Sequence, residues 1–164
     1  MQINRIWAMP NRWTFTIKPI KKLLNRYCME GIWCDPFAGR NSPAKVTNDI
    51  IEKAGYNFDA LRFLKFQTSN YYNGCLYDPP YSITQAKMYG KKEFGSMKYW
   101  ADCKNEIVRI LKPGGIAICF GWNSMGLGKN RGFEMLEILL VPHGGSKNDT
   151  IVTVEKKLKS LFDI

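Results

Sequence analysis

Four times along the chain a short strand candidate ends in an acid: Gly31-Ile32-Trp33-Cys34-Asp35, Lys45-Val46-Thr47-Asn48-Asp49, the weaker Tyr56-Asn57-Phe58-Asp59, and Gly74-Cys75-Leu76-Tyr77-Asp78. The first and last are apolar without polar alternation and read as strands buried on both faces. Helical segments are expected around them, at Lys18–Tyr27, Ile50–Ala54, Ala60–Phe66 and Tyr99–Leu111. In the first, Ile20, Leu23, Leu24 and Tyr27 recur at helical spacing, and Pro19 suits a first turn. Strands alternating with helices predict a parallel sheet covered on both faces, with ligands outside the carboxyl ends of the strands. The four acids then line one rim.

The last third changes rhythm. Leu111-Lys112-Pro113-Gly114-Gly115 stops a helix and opens the strand Ile116–Phe120, and a glycine-rich basic loop follows from Gly121 to Gly132. Phe133–Val141 and Thr150–Glu155 bracket the turn Pro142–Asp149, which predicts a hairpin. No repeat or linker interrupts residues 1–164, so one domain is expected, with no separate target-recognition domain. At 164 residues, 45% hydrophobic and 23% charged, the chain needs neither disulfides nor metal to fold.

A net charge of +10 points to a polyanionic partner, nucleic acid first among them. No apolar run approaches about 18 residues, so a membrane span is not expected. Asn4, Arg5, Pro10, Asn11 and Arg12 interrupt the N-terminal stretch as a signal peptide would not be interrupted. The five cysteines form no Cys-x-x-Cys and His143 is the sole histidine, which leaves no parts for a zinc site or a Cys–His nucleophile. A reduced, cytoplasmic protein is expected.

Asp78-Pro79-Pro80-Tyr81 is the most informative stretch. A strand end holds Asp78 at the ligand rim, and two prolines fix the backbone that follows while adding no N–H donors. Asp78 and the Pro79 carbonyl can then accept both hydrogens of an exocyclic amino group. Tyr81 offers a flat face on which an extruded base stacks. The bland alternative is a rigid turn with a packing tyrosine.

These residues resemble class I S-adenosylmethionine-dependent methyltransferases that modify exocyclic amino groups of DNA bases, and among them the small phage-type adenine-specific DNA methyltransferases. Asp35-Pro36-Phe37-Ala38-Gly39 is similar to the family's cofactor motif after the first strand, Asp78-Pro79-Pro80-Tyr81 to its catalytic motif after the fourth, and Leu111-Lys112-Pro113-Gly114-Gly115 to the helix stop before the fifth. Thr14-Phe15-Thr16-Ile17-Lys18-Pro19-Ile20 resembles the N-terminal segment that contacts the methionine end of the cofactor. The resemblance implies a Rossmann-like fold, a mostly parallel seven-stranded sheet ending in an antiparallel hairpin. It also implies S-adenosylmethionine as cofactor and methyl transfer to a flipped base, adenine N6 before cytosine N4.

On this reading Asp35 and Gly39 bracket a tight turn at the cofactor's amino-acid end, walled by Phe37. Asp49 holds the ribose hydroxyls, and Asp59, beside Ala60, takes the adenine amino group. For both acids the competing role is to cap the following helix. The family's usual Ser-Gly-Thr is replaced by Arg40-Asn41-Ser42. Asn41 tolerates left-handed backbone angles, and Arg40 is a candidate partner for the cofactor carboxylate or a DNA phosphate. Transfer would be an in-line attack helped mainly by positioning and electrostatics.

Two loops are candidates to grip DNA, Ser82–Gly95 with Lys87, Lys91 and Lys92, and Gly121–Gly132 with Trp122, Lys129 and Arg131; the competing reading is a solvated surface. Neither is long enough to recognise a sequence alone, so a second subunit or an accessory partner is expected to contribute discrimination. RNA base methylation, or a catalytically silent nucleic-acid-binding subunit, are the competing functions. A nicotinamide enzyme is disfavoured because no Gly-x-Gly-x-x-Gly follows the first strand.

Overall fold

Apolar side chains at one-turn spacing make α1 (Lys18–Tyr27) amphipathic. Ile20, Leu23 and Leu24 are buried, while Lys18, Lys21 and Lys22 face solvent. The computed structural model describes residues 1–28, 30–80, 96–145 and 147–159. Its further helices are α2 (Ala60–Phe66) and α3 (Met97–Ile110). Its strands are β1 (Gln2–Arg5), β2 (Trp33–Asp35), β3 (Val46–Thr47), β4 (Tyr72–Tyr77), β5 (Leu111–Gly121), β6 (Phe133–Val141) and β7 (Thr150–Lys157). They form one sheet in the order β1-β6-β7-β5-β4-β2-β3. Pairing is parallel from β3 through β2 and β4 to β5, and antiparallel where β7 lies between β5 and β6.

Neighbouring residues of the central strands go to opposite layers, which is why the sequence shows continuous apolar runs there. Leu76 and Ile118 pack toward α1 with Leu139, Val152 and Val154. Cys75, Tyr77, Ala117 and Cys119 pack toward Phe63 and Leu64 of α2 and Cys103, Ile107 and Ile110 of α3. Each fully buried aliphatic side chain contributes about 1.5–3 kcal/mol. No helix among the described residues is long and apolar enough to cross a membrane.

Three expectations are corrected. Tyr56–Asp59 is not a strand; only an isolated bridge joins Tyr56 to Asn48. Ile50–Ala54 is not a helix. The Asp49 carboxylate accepts the N–H groups of Ile51 and Glu52, both at 2.8 Å, and the Asn57 amide donates to the carbonyls of Asp49 and Glu52. Such local bonds compete with a helix that five residues could not nucleate. The seventh strand is instead β1, an edge strand parallel to β6 whose single isoleucine gives no periodic signal.

A buried carboxylate fastens that edge. Glu137 accepts from Asn4 Nδ2 at 3.1 Å, Arg26 Nη2 at 2.8 Å and the Tyr27 hydroxyl at 3.0 Å, joining β1, α1 and β6. Burial raises its pKa, but the bonds from Arg26, Tyr27 and Asn4 outweigh burial and leave it below the ordinary value.

Candidate active site

Parallel strands present their carboxyl ends at one edge, so β2, β3 and β4 deliver Asp35, Asn48, Asp49 and Asp78 to a common rim. A cleft of about 550 Å³ opens there. Pro36, Phe37, Ala38 and Gly39 form one wall, with Asp49, Phe58 and Ala60 beyond them, Thr14 and Phe15 at the N-terminal side, and Asp78, Pro79 and Pro80 along the margin.

Asp35 lies behind that wall, fully buried. It accepts the Phe37 N–H at 2.9 Å and the Ser42 hydroxyl at 2.6 Å. Burial pushes its carboxyl up to about 7; the Ser42 and Phe37 bonds oppose the rise, and the nearby Asp78 and Asp49 charges add to it. The turn it anchors has its left-handed residue at Gly39, φ +54°, where a Cβ would stand 3.6 Å from the Trp13 ring. Asn41 does not have positive φ, so glycine alone supplies the reversal.

Asp49 joins two turns. One oxygen takes the Gly39 N–H at 2.9 Å and the other those of Ile51 and Glu52, leaving acceptor capacity on the first oxygen at the cleft. It caps a turn rather than a helix. Asp59 caps α2 through the Arg62 N–H at 3.0 Å and accepts the Tyr99 hydroxyl at 2.9 Å, while its neighbours Phe58 and Ala60 face the cleft. Thr16 and Ile17 stand apart from the cleft: the Thr16 hydroxyl closes a 3-10 turn onto the Trp13 carbonyl, and Ile17 is in the core under α1. Arg40 bonds Glu52 at 2.7 Å and covers one side of Trp13, whose ring also carries the Arg12 guanidinium at 4.5 Å.

Sequence reasoning missed Asn48. Its side chain donates to the carbonyls of Pro36 and Phe58 and accepts the Phe58 N–H, stapling together the wall segments from β2 and before α2. The available signal was a polar residue inside a strand candidate. It also missed Trp13, Tyr99 and Trp100, which complete an aromatic margin with Phe37.

Pro79 and Pro80 border a second hollow of about 250 Å³, lined also by Tyr77, Trp100, Lys104, Phe120 and Trp122. Of the candidates in the later loop, Trp122 reaches this hollow. Lys129 and Arg131 lie in a 3-10 turn beyond it, where Arg131 bonds the Asn105 side chain and the Leu127 carbonyl. Tyr81, Lys87, Lys91 and Lys92 lie outside the described residues.

No protein-family model and no curated relative matches the sequence. Solved structures do match the fold. The 1,6-didemethyltoxoflavin-N1-methyltransferase of Burkholderia thailandensis, solved with 1,6-didemethyltoxoflavin and S-adenosylhomocysteine, aligns over 85% of this chain and 76% of its own at 14% identity, TM-score 0.59. TrmN of Thermus thermophilus aligns over 87% of this chain at 19% identity, TM-score 0.58; the match spans 49% of that protein. The N-methyltransferase NodS of Bradyrhizobium japonicum aligns over 87% and 96% of the two chains at 11% identity, TM-score 0.52. With these matches and its seven-stranded sheet closed by the β6–β7 hairpin, the chain has the Rossmann-like fold of class I methyltransferases.

Proposed function

We infer that this chain is an S-adenosylmethionine-dependent methyltransferase acting on the exocyclic amino group of a DNA base, adenine N6 first. The observation that carries the reading is a partition: Pro79 and Pro80, following Asp78 at the end of β4, border both the 550 Å³ cleft and the 250 Å³ hollow. One chamber suits a cofactor, the other an extruded base.

The larger chamber fits S-adenosylmethionine by its chemistry. Asp49 retains acceptor capacity for ribose hydroxyls, Phe37 and Phe58 give apolar surface for a flat ring, and the Gly39 turn permits close backbone approach. The Asp78 and Asp49 charges lie close enough to raise the Asp35 carboxyl, a negative field that favours a cationic ligand. The cofactor, when bound, supplies a methyl group on a sulfonium, a leaving group that needs no acid. The chain's task is then orientation. The Asp78 carboxylate and the Pro79 carbonyl accept hydrogen bonds from the two amino hydrogens, which directs the nitrogen lone pair toward the cleft; once methylated, the nitrogen releases one proton along its bond to the Asp78 carboxylate, which passes it to solvent. Paired bases hide that amino group, so the base is extruded before reaction. The +10 charge supports a nucleic-acid substrate.

Parallel incubations of methyl-labelled S-adenosylmethionine with duplex DNA and with RNA, followed by nucleoside mass spectrometry, test this. N6-methyldeoxyadenosine is expected. Label only in RNA would overturn the DNA assignment, and no calorimetric binding of the cofactor would overturn the enzyme reading altogether.

A further inference from the structure

The hollow beyond Pro79 and Pro80 is walled by rings: Tyr77, Trp100, Phe120 and Trp122 with the two prolines. Lys104, from the middle of α3, stands among them. An ammonium next to aromatic and proline surface loses hydration, so its place there must be stabilised by partners. One is fixed: Nζ donates to the Gly126 carbonyl at 2.6 Å. That carbonyl is itself held, because the buried Glu155 carboxylate takes the next N–H groups, Leu127 at 2.6 Å and Gly128 at 2.9 Å. Gly126 has φ +53°, and any Cβ there would collide with the Glu155 carboxylate. Lys104 is therefore anchored to a rigid loop, unlike a surface lysine. An ammonium has three N–H donors, and the Gly126 bond uses one. Tyr77 lines the same hollow, with its hydroxyl buried and without a hydrogen-bond partner among the described residues. The chamber thus offers the remaining Lys104 donors on one side and is bordered on the other by Pro79, which follows Asp78 at the cleft.

The geometry points to Lys104 as the residue that reads the ring nitrogen adjacent to the reactive amino group of the extruded base. The inference rests on the amino-methyltransferase reading above. With the amino group held at Asp78 and Pro79, the neighbouring ring position turns toward the hollow. Adenine presents a lone pair there at N1 and cytosine at N3, whereas guanine presents N1–H on its Watson–Crick edge and a lone pair only at N3, on its sugar edge. A group with donors only satisfies the Watson–Crick edge of the first two and opposes that of the third. Acceptors for the amino group plus a cationic donor for its neighbour match the Watson–Crick edge of adenine or cytosine.

The test compares a duplex that the wild-type protein methylates with the same duplex carrying 1-deazaadenine, in which C–H replaces N1, under single-turnover conditions. The wild-type protein should methylate the analogue roughly tenfold to a hundredfold more slowly, the range for a lost hydrogen bond to a charged group. In Lys104→Met, adenine should react at the analogue's rate, with the preference gone and S-adenosylmethionine binding by calorimetry unchanged. If Lys104 only braces the Gly126 loop, both bases slow by one factor and the preference survives, which overturns the assignment. A preference retained in Lys104→Met but lost in Tyr77→Phe overturns it as well, in favour of the tyrosine. Should Lys104→Met fail to fold, the wild-type comparison decides: equal rates on adenine and 1-deazaadenine refute the contact. If the wild-type protein methylates no duplex at all, the amino-base reading itself falls, and this inference with it, a result distinct from every pattern above.

Discussion

Asp35→Asn tests the electrostatics of the rim directly. The substitution keeps the shape of the side chain: its amide oxygen can still accept the Phe37 N–H, and its amide nitrogen can donate to Ser42 Oγ once that hydroxyl turns. What it removes is a titration. Burial first, then the Asp78 and Asp49 charges, move the folded carboxyl from 3.8 to about 7 despite its two hydrogen bonds. Between those values the folded protein holds a proton that the unfolded chain has released, so rising pH erodes stability across that window. At 1.36 kcal/mol per pH unit, the full erosion is on the order of 4 kcal/mol, complete above about pH 7. The variant has no such penalty. Urea unfolding of both proteins from about pH 4 to pH 8.5 should show nearly equal stability at the acid end, then a widening advantage for Asp35→Asn, reaching a few kcal/mol. A stability difference that stays constant with pH, or a variant weaker at pH 8, would refute the assignment of this burial cost to Asp35.

Other consequences follow from the same contacts. Cofactor binding near pH 7 should release protons, because a cation in the cleft favours ionised Asp35; calorimetry in buffers of different ionisation enthalpy measures this, and buffer-independent heats would contradict it. Asp78→Ala should lower turnover about a hundredfold or more while the cofactor still binds; near-normal turnover removes Asp78 from the mechanism. Asn48→Ala deletes the staple to Pro36 and Phe58, and should cost about 2–4 kcal/mol in denaturant melts. Glu137→Gln should destabilise by about 1–3 kcal/mol at neutral pH. Since the folded pKa of Glu137 is lowered, its contribution is present above the unfolded value of 4.5 and lost as pH falls through the folded one, so the gap between variant and wild type should close in acid.

The helix Lys18–Tyr27 and the hairpin were legible because each rests on local regularity: apolar spacing in one, two strand-like runs around a turn in the other. The rim acids were legible for the same reason, as each ends a strand candidate. The segment from Ile50 to Asp59 was not. Its conformation depends on Asn48, Asp49 and Asn57 side chains bonding backbone brought from several places, and no periodicity announces that. Gln2–Arg5 was silent too, since an edge strand with one partner needs little apolar sequence; its partners are Glu137 to Leu140 far along the chain, and the Glu137 carboxylate fastens it through Asn4.

By its own residues, then, the chain specifies strands interspersed with helices, an acid at or just past the ends of β2, β3 and β4, and the rigid Asp78-Pro79-Pro80 corner, because periodicity and proline stereochemistry act within a few residues. Only the tertiary structure decided which acids face a ligand. It turned Asp49 and Asp78 toward the cleft, buried Asp35 behind the wall, gave Asp59 to a helix cap, and brought Lys104 of α3 into the hollow beside Pro80. Those outcomes depend on hydrogen bonds and burial between segments far apart in sequence, which no local pattern encodes.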